Sequence, residues 1–339
     1  MLILRDGAFM HKPRLFFVSV LLALSMTQVF AAETGASSLW DSFTLGGYSA
    51  ADVIVHPGGK VEGAVHEIDG IIGWDNGGRF RFFTEIDLDT PLSFNENRSS
   101  TSKNFHFSLE RLYVDYSLSE TLSLRAGRFL TPAGHWNLVH AAPLVWTSSR
   151  PLATSRLFPT SINGVMVYGA VPLANNALEY SFFAETLKDQ VVGDGEIPYQ
   201  NSKGAKFTLL GKVNWGLTLL EFQENIPNNP EFHTIGLDFL VKHEGWEFSG
   251  EAFQRYNNND TDGGNGAYLQ GVAPLGKQWF AVARVESFKR PTEGSSERWL
   301  LGAAWRTTPN RIFKVEYVGG DEERQESPKG LIASFAILF

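Results

Sequence analysis

The sequence predicts an all-β protein: a closed antiparallel β-barrel over residues 43–339 that crosses a membrane, most simply with sixteen strands. Three observations lead there. The first thirty-one residues have the pattern of an export leader, the chain after residue 42 alternates with a period of two, and the connections alternate between short and long.

The leader comes first. Lys12 and Arg14 precede the apolar run Leu15–Met26, and Val29-Phe30-Ala31 offers small residues at both cleavage positions, so removal after Ala31 is expected whether translation starts at Met1 or Met10. Residues 32–42 are then a short periplasmic lead. The whole chain has 29 Lys and Arg against 37 Asp and Glu; without residues 1–31 the counts are 26 and 36, a net charge of −10. That balance argues against a nucleic-acid partner, which needs a basic face. The chain has no cysteine, which excludes disulfides, thiolate metal sites and cysteine nucleophiles. No later run of eighteen apolar residues offers a helical span.

The strands follow in order. Phe80, Phe82, Thr84, Ile86 and Leu88 interleave with Arg79, Arg81, Phe83, Glu85 and Asp87. Trp299, Leu301, Ala303 and Trp305 share a face, as do Phe313, Val315 and Tyr317, and as do Leu331, Ala333, Phe335, Ile337 and Phe339. Such alternation is the signature of strands with one apolar face. Segments are expected near 43–55, 60–74, 79–88, 105–117, 121–129, 163–171, 177–187, 204–213, 216–225, 232–242, 246–256, 266–273, 277–288, 297–306, 310–318 and 329–339.

Short connections such as Asp75-Asn76-Gly77-Gly78, His243-Glu244-Gly245 and Thr307-Thr308-Pro309 are rich in turn residues. Between them lie mostly longer, polar ones: 89–104, 130–162, 188–203, 257–265, 289–296 and 319–328; 56–59 and 226–231 are the shorter members of that set. This is the sidedness of an outer-membrane barrel, with short periplasmic turns and long external loops. Both ends fall on the short-turn side, which requires an even strand count. Closure is required because an open edge in lipid leaves backbone groups unpaired. Aromatics near segment ends, including Trp215, Trp246, Trp279 and Trp305, suit girdles at the lipid boundary.

The third external connection, 130–162, is the longest and holds Trp136, Trp146, Leu152, Leu157 and Phe158 with several prolines, so it should pack rather than wave. From Thr121 to Leu178 there is no Asp or Glu, while Arg125, Arg128, Arg150 and Arg156 lie there with His135 and His140. If this loop folds into the lumen it brings positive charge to the narrowest zone; arginines bonding carbonyls within the loop are the plainer alternative. Arg79, Arg81, Arg111 and Arg298 alternate with apolar residues and should face water, since a lipid-facing arginine at mid-membrane costs about 2–4 kcal/mol. Glu85, Asp87, Asp115, Lys314 and Glu316 share that face, so the wall is mixed in sign.

Other patterns promise less. Asp321, Glu322, Glu323 and Glu326 read as a solvated external loop. The stretch Asn257–Gly263 has the look of a calcium loop without its distal Glu, and the histidines lack metal spacing, so no cofactor or metal is expected. His106, Ser108 and Glu110 share one strand face, but same-face neighbours stand about 7 Å apart at a rise of ~3.3 Å per residue, long for a catalytic relay. No catalytic residue is expected.

Two features carry a resemblance. Phe339, with apolar residues at alternate positions back to Leu331, resembles the assembly signal of Gram-negative outer-membrane porins, which implies recognition by the barrel-assembly machinery. Arg111-Leu112-Tyr113-Val114-Asp115-Tyr116, followed by Leu124-Arg125-Ala126-Gly127-Arg128-Phe129-Leu130-Thr131-Pro132-Ala133-Gly134, is similar to the strand–turn–strand and Gly-Arg-Phe…Pro-Phe-Gly pattern of the phosphate-selective porin O and P group, with Ala133 in place of the expected Phe. General porins also resemble the chain in strand count and in a long third loop. The resemblance implies an outer-membrane, lipid-embedded homotrimer. It also implies a water-filled channel for small hydrophilic solutes or ions with a third loop folded inward; the arginines of that loop, with no carboxylate beside them, would then favour anions. A non-conducting structural or adhesion barrel and an outer-membrane hydrolase stay open as alternatives.

Overall fold

A computed structural model describes residues 39–95, 100–101, 106–188, 197–258, 262–291, 294–321 and 328–339. The leader expected over 1–31 and most of the 32–42 lead lie outside these residues; Leu39–Ser42 form a single 3₁₀ turn. Among the described residues no helix is long and apolar enough to cross a membrane.

Sixteen long strands follow: β1 (Phe43–Val55), β2 (Val61–Asp75), β3 (Phe80–Asp89), β4 (His106–Ser117), β5 (Ser123–Leu130), β6 (Ser161–Leu173), β7 (Asn176–Leu187), β8 (Tyr199–Leu210), β9 (Val213–Glu224), β10 (Glu231–His243), β11 (Trp246–Asn257), β12 (Asp262–Gly276), β13 (Trp279–Arg290), β14 (Gly294–Thr308), β15 (Arg311–Gly320) and β16 (Gly330–Leu338). Each pairs antiparallel with its sequence neighbours, and β16 pairs with β1 from Tyr48↔Leu338 to Val55↔Leu331, which closes the barrel. At the seam, Phe339 N donates to Gly47 O and Gly47 N to Phe339 O, both at 2.8 Å. No backbone edge is left open there.

The sixteen segments read from the sequence are the sixteen strands, with ends that differ by a few residues. One addition was not expected. Within the connection after β3, two short strands, Leu92–Asn95 and Ser100–Thr101, form a hairpin. β2 begins well beyond the end of β3, and the hairpin pairs with its otherwise open stretch Glu62–Val65.

Burial is inverted relative to a soluble barrel. Along β15, Phe313, Val315 and Tyr317 are exposed while Lys314 and Glu316 are buried. Along β13, Ala283 and Val285 point out while Arg284 and Glu286 are buried. Leu237, Leu301 and Leu269 are 57–60% exposed. An outer face of this kind is stable only against lipid, where it needs no water and the strands satisfy each other's backbone groups.

Aromatic side chains stack in chains at the short-turn end: Trp279 on Trp305 (5.4 Å, 3°), Trp305 on Phe313 (5.6 Å) and Phe313 on Phe335 (4.5 Å). Trp299 and Tyr317 meet at 5.6 Å toward the other end. Trp299 and Trp305 are six residues apart on β14, about 20 Å at ~3.4 Å per residue, close to the ~25 Å apolar band of such barrels. The short turns use the chemistry that the sequence offers. Gly77 takes φ 75°, and Asp75 Oδ1 and Asn76 Oδ1 accept from the N–H groups of Gly77 (2.7 Å) and Gly78 (3.0 Å).

Candidate functional site

The connection between β5 and β6 is built as the sequence suggested in one respect: it packs. Ala133, Leu152, Ala153, Leu157 and Phe158 are fully buried, and Phe158 meets Phe253 of β11 at 4.8 Å. Two 3₁₀ turns, Trp136–Leu138 and Leu152–Thr154, shape the segment.

Its polar contacts go to the charged face of strands on the far side of the sheet order. Glu251 of β11 accepts from the N–H groups of His135 (3.1 Å) and Trp136 (2.6 Å). Glu286 of β13 accepts from Leu152 N (2.9 Å). Glu316 of β15 accepts from Ser148 N (2.9 Å) and Ser149 N (2.8 Å). Wall cations serve the carbonyls: Lys206 donates to Gly134 O, Arg284 to Ser149 O (2.9 Å), and Lys314 to Ala142 O and Thr147 O (both 3.0 Å).

The absence of Asp and Glu in the loop now has a physical role. A buried irregular segment has orphan N–H groups that cost about 1–3 kcal/mol each if unpaired. Here the acceptors come from the wall, so carboxylates of the segment's own would compete with them.

The predicted wall residues divide. On β3–β5, Arg111 is ion-paired to Glu85, its cross-strand partner. Arg125 grips Asp115 with two bonds, Nε to Oδ1 at 2.7 Å and Nη2 to Oδ2 at 2.9 Å. The Arg125 guanidinium lies 3.6 Å over the Tyr113 ring and 5.1 Å from that of Tyr168. Gly127, opposite Tyr113, has φ 134°, and a Cβ there would run into the Leu112 carbonyl. Its lack of a side chain leaves this face to the arginine and the ring. Arg81 Nη2 donates to Tyr168 OH at 3.4 Å. Asp87 stands directly opposite Asp69, a buried residue that was not among the candidates.

Two expectations are corrected. Arg79 lies in the exposed turn between β2 and β3, where Nη1 donates to Tyr116 OH at 3.4 Å; the alternation simply runs on past the strand end. Arg128 is half-buried and has the opposite parity to Arg125; it is paired with Asn163, to whose Oδ1 it donates at 3.5 Å. It is three residues from Arg125, and an odd step on a strand reverses the face.

Arg150 matches the plainer alternative. It ties one 3₁₀ turn to the other, donating to Asn137 Oδ1 (2.9 Å) and to Thr154 O (2.7 Å). Arg156 is half-buried, and its carbonyl accepts from Tyr199 OH at 3.3 Å. Arg298 is buried, with Nη2 donating to Pro328 O at 3.3 Å.

Sequence reading passed over Glu251, Glu286, Lys206 and Arg284, and also a buried cluster in which Arg255 (2.9 Å) and Arg290 (2.8 Å) share Glu224. The signal was present: each is a charged residue alternating with apolar ones. Several other expectations fall on residues left undescribed: the side chain of His106, residues 259–261 of the calcium-like stretch, and Glu322, Glu323 and Glu326. Among the described residues no three His, Asp or Glu side chains are placed to hold a metal ion.

His135 is the titrating group of the segment. Burial first, then the neighbouring Lys206, pushes its imidazole down from 6.5 to about 4. A depressed histidine is neutral when folded and takes up a proton more readily when the segment is released. Its contribution is therefore complete above pH 6.5 and lost as pH falls toward 4. The urea midpoint of the barrel should drop across that window, and more steeply in wild type than in His135→Gln.

No family model matches the chain. A 157-residue stretch is 26% identical to an uncharacterized protein of Aquifex aeolicus (strain VF5), covering 45% of this chain and 33% of that protein. Among solved structures, an anion-selective porin from Comamonas acidovorans aligns over 88% of this chain and 99% of its own, with TM-score 0.61 and 13% identity. Salmonella typhi OmpF, in a complex with daunomycin, covers 88% and 97% with TM-score 0.60 and 10% identity. The outer-membrane channel DcaP of Acinetobacter baumannii covers the same shares with TM-score 0.55 and 12% identity. The chain has the barrel fold of the outer-membrane porins; the resemblance to the O and P group stays with its short motif.

Proposed function

We propose that the protein is an outer-membrane porin, a water-filled channel for passive diffusion of small hydrophilic solutes and ions. The observation that carries this is the closed barrel with an apolar outer face and a charged inner one. Lining a barrel with buried arginine, lysine and carboxylate has a cost that a solid core does not require; it suits a wall that meets water and permeating charge. The 131–160 segment then narrows the lumen, because its partners are inner-face side chains.

The channel favours anions. In the two ion pairs on β3 to β5 the arginine is the more exposed member: 15% for Arg111 against 0% for Glu85, and 18% for Arg125 against 7% for Asp115. The carboxylates of Glu251, Glu286 and Glu316 are occupied by backbone donors of the segment. The charge that these groups present to a solute is thus weighted toward arginine, with Arg81 on the same wall. Added to a planar lipid bilayer, the purified protein should give discrete conductance steps, and an electrically silent barrel would overturn the reading.

Export by the 1–31 leader, recognition of Phe339 by the barrel-assembly machinery, and a homotrimer belong to the same proposal. The seam bonds from Phe339 to Gly47 give the terminal residue a structural role as well. Unboiled electrophoresis of outer membranes should show a wild-type band near three chains. That band should be lost or strongly reduced when Phe339 is deleted. A wild-type monomer in several mild detergents would refute the trimer.

A further inference from the structure

A cavity of about 90 Å³ lies between the 136–150 part of the segment and the inner faces of β1, β2, β15 and β16. Glu67, Lys314, Arg150, His66, His140 and Trp136 contribute to its lining. Three lining atoms are buried without a hydrogen bond: His66 Nδ1, Glu67 Oε2, an acceptor, and Trp136 Nε1, a donor. Trp136 is 7% exposed. The Lys314 ammonium is 2% exposed and uses two of its three donors on Ala142 O and Thr147 O. We propose that this cavity is a binding subsite for a small zwitterion, an α-amino acid of the size of glycine or alanine. Its ammonium rests on Glu67, and its carboxylate on Trp136 Nε1 and Lys314.

The charges select for that class. A lone anion there faces Glu67, and a lone cation faces Lys314 and Arg150, whose Nη2 is held by Asn137 Oδ1 and Thr154 O; a buried charge without a partner is strongly disfavoured. A solute carrying both charges gives each wall group a partner and adds no net charge. One water needs about 10–15 Å³ on this measure, so the cavity has room for several waters or for a solute of the size of glycine or alanine. The channel reading is needed only for the solute's route in from bulk water; the binding site itself rests on the cavity.

The experiment measures binding without ion flow: calorimetric titration of the intact barrel in detergent with glycine, alanine, acetate and methylammonium. Saturable binding of glycine and alanine is expected, with the other two weaker. Glu67→Gln and Trp136→Phe should each weaken glycine by about tenfold or more, the loss of a hydrogen bond to a charged group, while unboiled electrophoresis shows the barrel still folded. No saturable glycine binding, equal binding of acetate or methylammonium, or unchanged affinity in folded Glu67→Gln would overturn the subsite. A barrel that binds glycine but is silent in a bilayer overturns the channel and keeps the subsite; one that conducts without binding does the reverse.

Discussion

Glu316→Ala should release the middle of the 131–160 segment from the wall. The Glu316 carboxylate is buried and accepts from two consecutive backbone N–H groups, those of Ser148 and Ser149. Both donors lose their acceptor in the variant, and at about 1–3 kcal/mol for each buried unpaired group the cost is about 2–6 kcal/mol. Nearby, Arg284 and Lys314 hold carbonyls of the same stretch, so the segment loosens locally while the strands stay paired. The expected readings are a lower urea midpoint and a larger, noisier single-channel current. Glu316→Gln, which retains one acceptor oxygen, should fall between wild type and alanine. Conductance and noise identical to wild type in folded Glu316→Ala would mean that the segment does not border the conducting path.

Arg125→Met should be the most damaging single change on the β3–β5 wall. It strips Asp115, a residue 5% exposed, of both its charge-assisted bonds. Removing one member of a buried ion pair costs about 3–5 kcal/mol, because the remaining charge is left uncompensated. It also removes the cation stacked on Tyr113. The double variant Arg125→Met with Asp115→Leu should recover much of that stability, since replacing both partners by apolar groups is often near neutral. The selectivity readout separates from stability. Arg125→Met alone leaves an extra negative charge in the wall and should move the reversal potential toward potassium; the double variant should move it less. Urea titration and bilayer recording on the same preparations check both statements. An unchanged midpoint in Arg125→Met would show that the pair is screened by water as an ordinary surface pair.

Much of the fold was legible because a barrel writes it locally. Strand existence follows from period-two alternation, as in Phe313–Lys314–Val315–Glu316–Tyr317, and sidedness follows from the connection lengths. The 131–160 segment stood out by its length and by lacking acids. Its partners were not legible. Glu251 meets His135 across a sequence separation of 116 residues, and which inner-face residue reaches which loop atom depends on the accumulated register of five intervening strands. Arg128 lies near the loop but shares its strand parity with Leu124 and Ala126 rather than with Arg125. Arg150 was read as a charge facing the path, whereas its donors hold the segment's two turns together. Local pattern thus gave the wall, and long-range register decided the lining.

The proposed channel is water-filled, and the arginines of its wall set its ion preference. The most direct measurement is the reversal potential of single channels in a planar bilayer under a KCl gradient. Stepwise conductance is expected, with a potential displaced toward the chloride equilibrium value. A potential on the potassium side, or no conductance from folded protein, would contradict it.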